Sequence, residues 1–262
     1  MIFSAKTVAW AASLAIWKLT MAFPAGAGSI EEIVLRWTHI VAGILWLGFL
    51  SFFLLVGGPT LKSLDPATRA KVFPELASRG LWWLRWSAMV AWVAGFRYFM
   101  ILAKTDAINI GRPHAWGGWI GLWLACWLAA FAIEMALIRA GEGALGNKFV
   151  IGALVLLVMT ATSWLVASLL AQPGVSNRTL SISIGGGLGT ILFFNAWGIV
   201  WRCQKRLIAW TRASVSEGTP MPPEAVKVGQ MATLTMQISF WLSIPLLFFM
   251  AASAHFPFLS GG

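Results

Sequence analysis

The sequence predicts an all-α fold: a polytopic bundle of transmembrane helices. Three observations predict it. Of 262 residues, 59% are hydrophobic and only 11% charged, where a soluble domain carries about 25% charged residues. Six apolar runs reach the roughly 20 residues needed to cross about 30 Å of hydrocarbon. The basic residues collect in the short segments between those runs, more on one side than on the other.

The runs are read in chain order. Thr7–Phe23 is apolar but interrupted by Lys18, so residues 1–30 are expected to hold a retained hydrophobic or interfacial helix. Lys6 and Ala25-Gly26-Ala27 resemble the ends of a secretory signal, but Lys18 spoils the apolar core such a signal needs. Residues 31–262 form the six-span domain. Its spans are expected at Ile33–Val56, Leu81–Ala103, Gly118–Ile138, Phe149–Leu170, Ile182–Trp201 and Met231–Ala252. Between the first two, Lys62–Arg79 reads as a short amphipathic helix at the interface, started by Asp65-Pro66. Glu217–Pro223, rich in glycine and proline, reads as a turn before the last span.

The charge pattern orients the bundle. Lys62, Arg69, Lys71 and Arg79 follow the first span, Arg139 and Lys148 flank the third connection, and Arg202, Lys205, Arg206, Arg212 and Lys227 lie in the fifth. The opposite side offers Lys104, Arg112, Arg178 and the embedded Arg36. The imbalance places the richer side in the cytoplasm and the C-terminus outside, a multi-pass topology for a bacterial inner membrane. It also accounts for the net charge of +10 without nucleic acid as a partner. The partner it requires is the lipid bilayer.

The most informative segment is Arg36-Trp37-Thr38-His39-Ile40-Val41-Ala42-Gly43-Ile44-Leu45-Trp46-Leu47-Gly48. It sets an arginine and a histidine inside a span, where ionisable groups cost roughly 3 kcal/mol each and mark function. Arg36 and His39 are three apart on one helix face, near Glu31 and Glu32. A positive patch there suits an anionic substrate, a quinone headgroup or a haem propionate; it equally suits an arginine reaching lipid phosphate. All three histidines fall on the outer side: His39 about two turns down, His114 before the third span, His255 after the last. Imidazole ligates haem b and copper, so His39 and His255 are candidate metal ligands, and His39, His255 and His114 candidate cofactor ligands. Gly43, one turn after His39, leaves room for a flat macrocycle. Arg97, beside the only tyrosine, Tyr98, is a further cofactor-binding candidate, with Asn195 or Gln237 as a polar path. Glu134 reads as structural, paired with Arg139 or Arg85.

Other signals are weaker. Gly185-Gly186-Gly187-Leu188-Gly189-Thr190 opens a span and is explained by close helix packing rather than nucleotide binding. The 17 tryptophans sit mostly near helix ends, as a bilayer's aromatic belt. Cys126 and Cys203 are far apart, and no Cys-x-x-Cys-His occurs, so no covalent c-type haem is expected. Solute transport lacks the paired broken helices or inverted repeat that transporters show.

In order and spacing, the Arg36–Gly48 motif resembles the membrane-integral N-terminal domain of PuuD-type bacterial urate oxidases, the cytochrome-linked urate hydroxylases. The resemblance continues through Leu84-Arg85-Trp86, Trp92-Val93-Ala94-Gly95-Phe96, Gly189–Leu192 with Asn195, Gln204-Lys205-Arg206, Leu242–Phe248 and Ala254-His255-Phe256-Pro257. It implies a multi-spanning protein of redox lineage, with a C-terminal cytochrome c domain that is expected to be lacking here, since the sequence ends at Gly262. It carries over His39 and His255. Where relatives have a His-Asn-rich stretch, this sequence reads Leu234-Thr235-Met236-Gln237-Ile238-Ser239. The expected function is an oxidoreductase or its accessory subunit. Arg36 and His39 would form its catalytic pair, haem b would be its cofactor, and a separate cytochrome c or quinone would accept electrons. The alternative is a non-catalytic structural subunit of a larger membrane complex.

Overall fold

The computed structural model describes residues 26–140 and 147–259. The helix expected within Thr7–Phe23 lies outside the described residues. The chain divides into two compact units, Met1–Val34 and Leu35–Gly262. Of the first, residues 26–34 are described and open the first helix; every later element belongs to the second.

Among the described residues all regular structure is helical. In order come α1 (Ala27–Phe52), a π-helical segment Phe53–Gly57, α2 (Gly58–Ser63), α3 (Pro66–Asn109), α4 (Ala115–Ala140), α5 (Lys148–Leu170), α6 (Asn177–Phe194), a second π-helical segment Asn195–Val200, α7 (Trp201–Glu217) and α8 (Ala225–His255). Several merge end to end, leaving six rods long and apolar enough to cross a membrane. The chain is a multi-pass helical membrane protein.

One connector expected from sequence is instead the end of a span and the fifth span runs longer than expected, while the turn expected at Glu217–Pro223 is present after Glu217. Asp65 caps α3, its Oδ1 accepting the N–H groups of Ala67 and Thr68 at 3.0 Å each, and Pro66 takes the first helical position. The helix then runs through Pro74 and Gly80 into the second span for 44 residues. No separate interfacial helix forms over Lys62–Arg79, because nothing after Asp65 stops the helix: Pro74 is buried and costs one hydrogen bond in a long ladder. Likewise the fifth span runs on through α7 to Glu217, 41 residues in all. It stops at Gly218, whose φ of 68° is the left-handed geometry that glycine takes most easily. At 1.5 Å per residue these rods measure about 65 and 60 Å, twice the hydrocarbon thickness. They overhang together at the base-rich end, where Arg212 meets Glu75 at 3.0 Å.

At the opposite end hydrogen bonds stitch the connections. Asp106 accepts the Ser176 backbone N–H at 2.9 Å and its hydroxyl at 2.7 Å. Arg112 donates to Gln172, Asn177 donates to the Ala252 carbonyl, and Leu259 donates back to Asn177. α6 is the hub, packing on α3, α4, α5 and α8. Its glycines make that approach close. A Cβ at Gly187 would fall inside the Trp127 indole, and one at Gly185 would meet Met250 at 2.9 Å and Phe249 at 3.1 Å.

Candidate functional site

His39 sits half-buried on α1 against α3. Its Nδ1 lies 2.7 Å from the Ala91 carbonyl oxygen. A carbonyl only accepts, so Nδ1 carries a proton, and in the neutral ring the lone pair falls to Nε2. The ring rests on Gly95, where a Cβ would stand 2.6 Å from both Nδ1 and Cε1. One turn further along α1, Gly43 has no atom within 4 Å of its Cβ direction. Arg36 lies with its guanidinium over the Tyr98 ring, 5.9 Å from the centroid. The two residues predicted to pair are therefore held by one neighbouring helix, over Tyr98 and over Gly95.

Depth follows from helix rise. Ala91 and Gly95 precede Asp106, at the stitched end, by about 22 and 16 Å. His39 thus packs well in from the stitched end, on a helix that begins at Ala27. His114, exposed, stands just before α4, and His255, exposed, ends α8, where its ring meets Phe256 edge-on. Both share the stitched end. Among the described residues no group of three His, Cys, Asp or Glu side chains is gathered as a metal site. Arg97 lies on the exposed side of α3.

The structure also assembles a polar cluster that the sequence pattern does not announce. Glu134 of α4 and Asn195 are fully buried, and Ser239 of α8 is 4% exposed. Asn195 Nδ2 donates to Glu134 Oε1 at 2.9 Å and lies 3.2 Å from Ser239 Oγ. Glu134 Oε2 and Asn195 Oδ1 are buried with no hydrogen-bond partner. Asn195 opens the second π-helical segment, a distortion frequent at functional sites. Glu134 does not pair with Arg139 or Arg85. Arg139 is exposed, and the Arg85 guanidinium stacks on Trp201 at 3.8 Å, with Trp197 at 5.3 Å and Trp86 at 5.7 Å. Nor does Asn195 serve Arg97, since its carbonyl oxygen has no partner. Gln237 turns elsewhere, into a groove of about 500 Å³ between α5 and α8 with Lys148, Trp241 and Pro245.

Between His39 and the cluster lies an aromatic stack. Trp92, one residue after Ala91, stacks on Phe96 and on Phe193 with centroids 5.1 and 5.0 Å apart, and donates its indole N–H to Thr190 at 3.0 Å. Phe96 leads on to Trp123, which packs on Phe99 and donates to the Ser183 carbonyl at 2.7 Å. The one sign of the cluster in the sequence is an uncompensated carboxylate inside a span.

The family described as Urate oxidase N-terminal matches residues 63–262. That range takes in Glu134, Asn195, Ser239, His114 and His255, and begins after the helix that bears Arg36 and His39. No curated protein and no solved structure matches the chain.

Proposed function

The chain belongs to the urate oxidase N-terminal family over residues 63–262, and from that premise we propose that it is a redox subunit of a bacterial inner membrane, oxidising urate or serving the enzyme that does. In this reading the base-rich overhang lies in the cytoplasm and the stitched end, with the C-terminus, in the periplasm. Electrons leave for a separate cytochrome c or a quinone.

One observation carries the reading: the setting of His39. An imidazole inside a span, with Nδ1–H fixed on a backbone carbonyl and the lone pair left to Nε2, is arranged as metal-ligating histidines are. On this reading one imidazole would hold haem b. His39 would be the ligand, the Ala91 carbonyl would hold its tautomer, and Gly95 would give the ring its seat. Arg36 would neutralise a propionate or an anionic substrate. Bound there, haem b would supply a one-electron couple. His114, His255 and Arg97 would face the side from which a soluble electron carrier approaches. Without haem, the same His39 Nε2 is a proton acceptor beside a positive charge.

The test is a dithionite-reduced minus oxidised spectrum of the protein purified in detergent. A haem b α-band is expected in the wild type, lost in His39→Ala and shifted or weakened in Gly95→Ala. A folded protein without a chromophore, copurifying with larger subunits, would replace this reading with the non-catalytic accessory role.

A further inference from the structure

We propose that Glu134, Asn195 and Ser239 form a proton-binding site inside the membrane, in which Glu134 holds an exchangeable proton on Oε2. The inference does not depend on the redox reading, because it concerns other residues and another ligand.

Charge is the first consideration. Glu134 is fully buried in a span, and among the described residues no ion pair reaches it. An isolated carboxylate in such surroundings is very costly, whereas a neutral carboxylic acid needs only hydrogen-bond partners. The charged groups on the surrounding helices lie elsewhere. No ionisable residue occurs in 149–170, 179–201 or 228–254, which covers α5, α6 with the π-helical segment after it, and α8 between their ends; the start of α7 then brings Arg202, Lys205 and Arg206, all exposed. α3 contributes Arg85, already seated on indoles, and the exposed Arg97; α1 contributes Arg36 and His39; and α4 itself contributes the exposed Arg139.

Hydrogen bonding points the same way. Asn195 gives its N–H to Glu134 Oε1, so that oxygen acts as the carbonyl of an acid. The remaining oxygens, Glu134 Oε2 and Asn195 Oδ1, are both acceptors without a donor. A proton on Oε2 turns one of them into a donor and leaves the other as an acceptor within the same cluster. A metal cation would also answer two bare oxygens, but it needs space. The void bordering Ser239 measures about 10 Å³, is otherwise lined by apolar groups such as Leu192, Ala196 and Met236, and has neither Glu134 nor Asn195 in its lining. That is at the lower limit for one water, while a proton needs no volume. The π-helical segment beginning at Asn195 is a backbone distortion of a kind frequent at functional sites.

Infrared spectroscopy of the whole protein in lipid vesicles tests this. The wild type should show a carboxylic-acid carbonyl band that Glu134→Gln removes, and the band should move in D₂O. Glu134→Gln keeps the shape and supplies its own donors, so its melting temperature should stay within a few degrees of wild type. Glu134→Leu should melt well below it, because it strands the Asn195 amide. A folded wild type with no acid band, a band that does not move in D₂O, or a band abolished by sodium or potassium at constant pH would each overturn the proposal; the last would make this a cation site. The haem spectrum of Glu134→Gln separates the two readings, since it should keep whatever chromophore the wild type has.

Discussion

At the scale of single residues, two glycines decide where two rings lie. Gly95 seats His39, and Gly187 seats Trp127, which is fully buried. Each is a place where a methyl group cannot be added without moving a neighbour. Gly187→Ala is expected to destabilise the protein by about 1–3 kcal/mol through overpacking, read as a lower melting temperature in detergent. Gly121, in α4 with nothing within 4 Å, is the control. There alanine should be neutral or stabilising by up to about 1 kcal/mol, from helix propensity alone. The same residue scale shows what sequence can say. His39 is conspicuous as an ionisable group in a span, and its helix face is readable from spacing. Its partner is not, since Ala91 lies 52 positions away and offers only backbone. Glu134 is visible too, but its amide partner is 61 positions on, on a helix whose packing no local pattern reveals. Local reasoning therefore assigns it the nearest arginine.

At the scale of elements, apolar runs locate all six spans but not where the helices stop. A span's apolar core ends at the headgroups, while its helix continues as long as nothing breaks it. Gly218 and Asp65 are the real boundaries, and both are local signals. Asp65 makes a prediction about pH. The Thr68 hydroxyl, then the N–H groups of Thr68 and Ala67, hold its carboxyl below the usual aspartate range. A depressed value in the folded state means that the cap stabilises when ionised. Its contribution is complete above the unfolded aspartate value and is lost as pH falls through the lowered folded value. Amide exchange at residues 67–70 should rise across that acid window in the wild type. In Asp65→Asn, which caps without titrating, it should stay level. The π-helical segments, one after α1 and one after α6, are not legible in advance, because no local residue preference marks them.

At the scale of the whole molecule, the polar groups stand at successive depths. Arg36 lies over Tyr98, then His39 on Ala91, then Glu134 with Asn195 and Ser239, then Arg85 among its indoles where the overhang begins. The order matters only if the bundle has the orientation that its charges predict. A periplasm-active reporter fused after Leu259 should be active, and one fused at Gly218 inactive; the reverse result would invert the topology. The fold class and the family are legible because composition, apolar run length and a string of dispersed motifs all agree with one architecture. The cluster is not, because it exists only where three helices converge.

The α4–α6 interface is pinned at two points. Trp127 and Glu134 are seven residues apart on α4, and their partners Gly187 and Asn195 are eight apart on the facing rod. These act as two dowels set about two turns apart in the same joint. A single dowel would allow the helices to pivot, but two permit neither pivoting nor sliding. Slippage by one turn, about 5.4 Å, would drive a side chain into the indole and unseat the carboxyl at once. The two helices therefore travel as one piece, and of the three segments that build the cluster only α8, which brings Ser239, stands outside that joint.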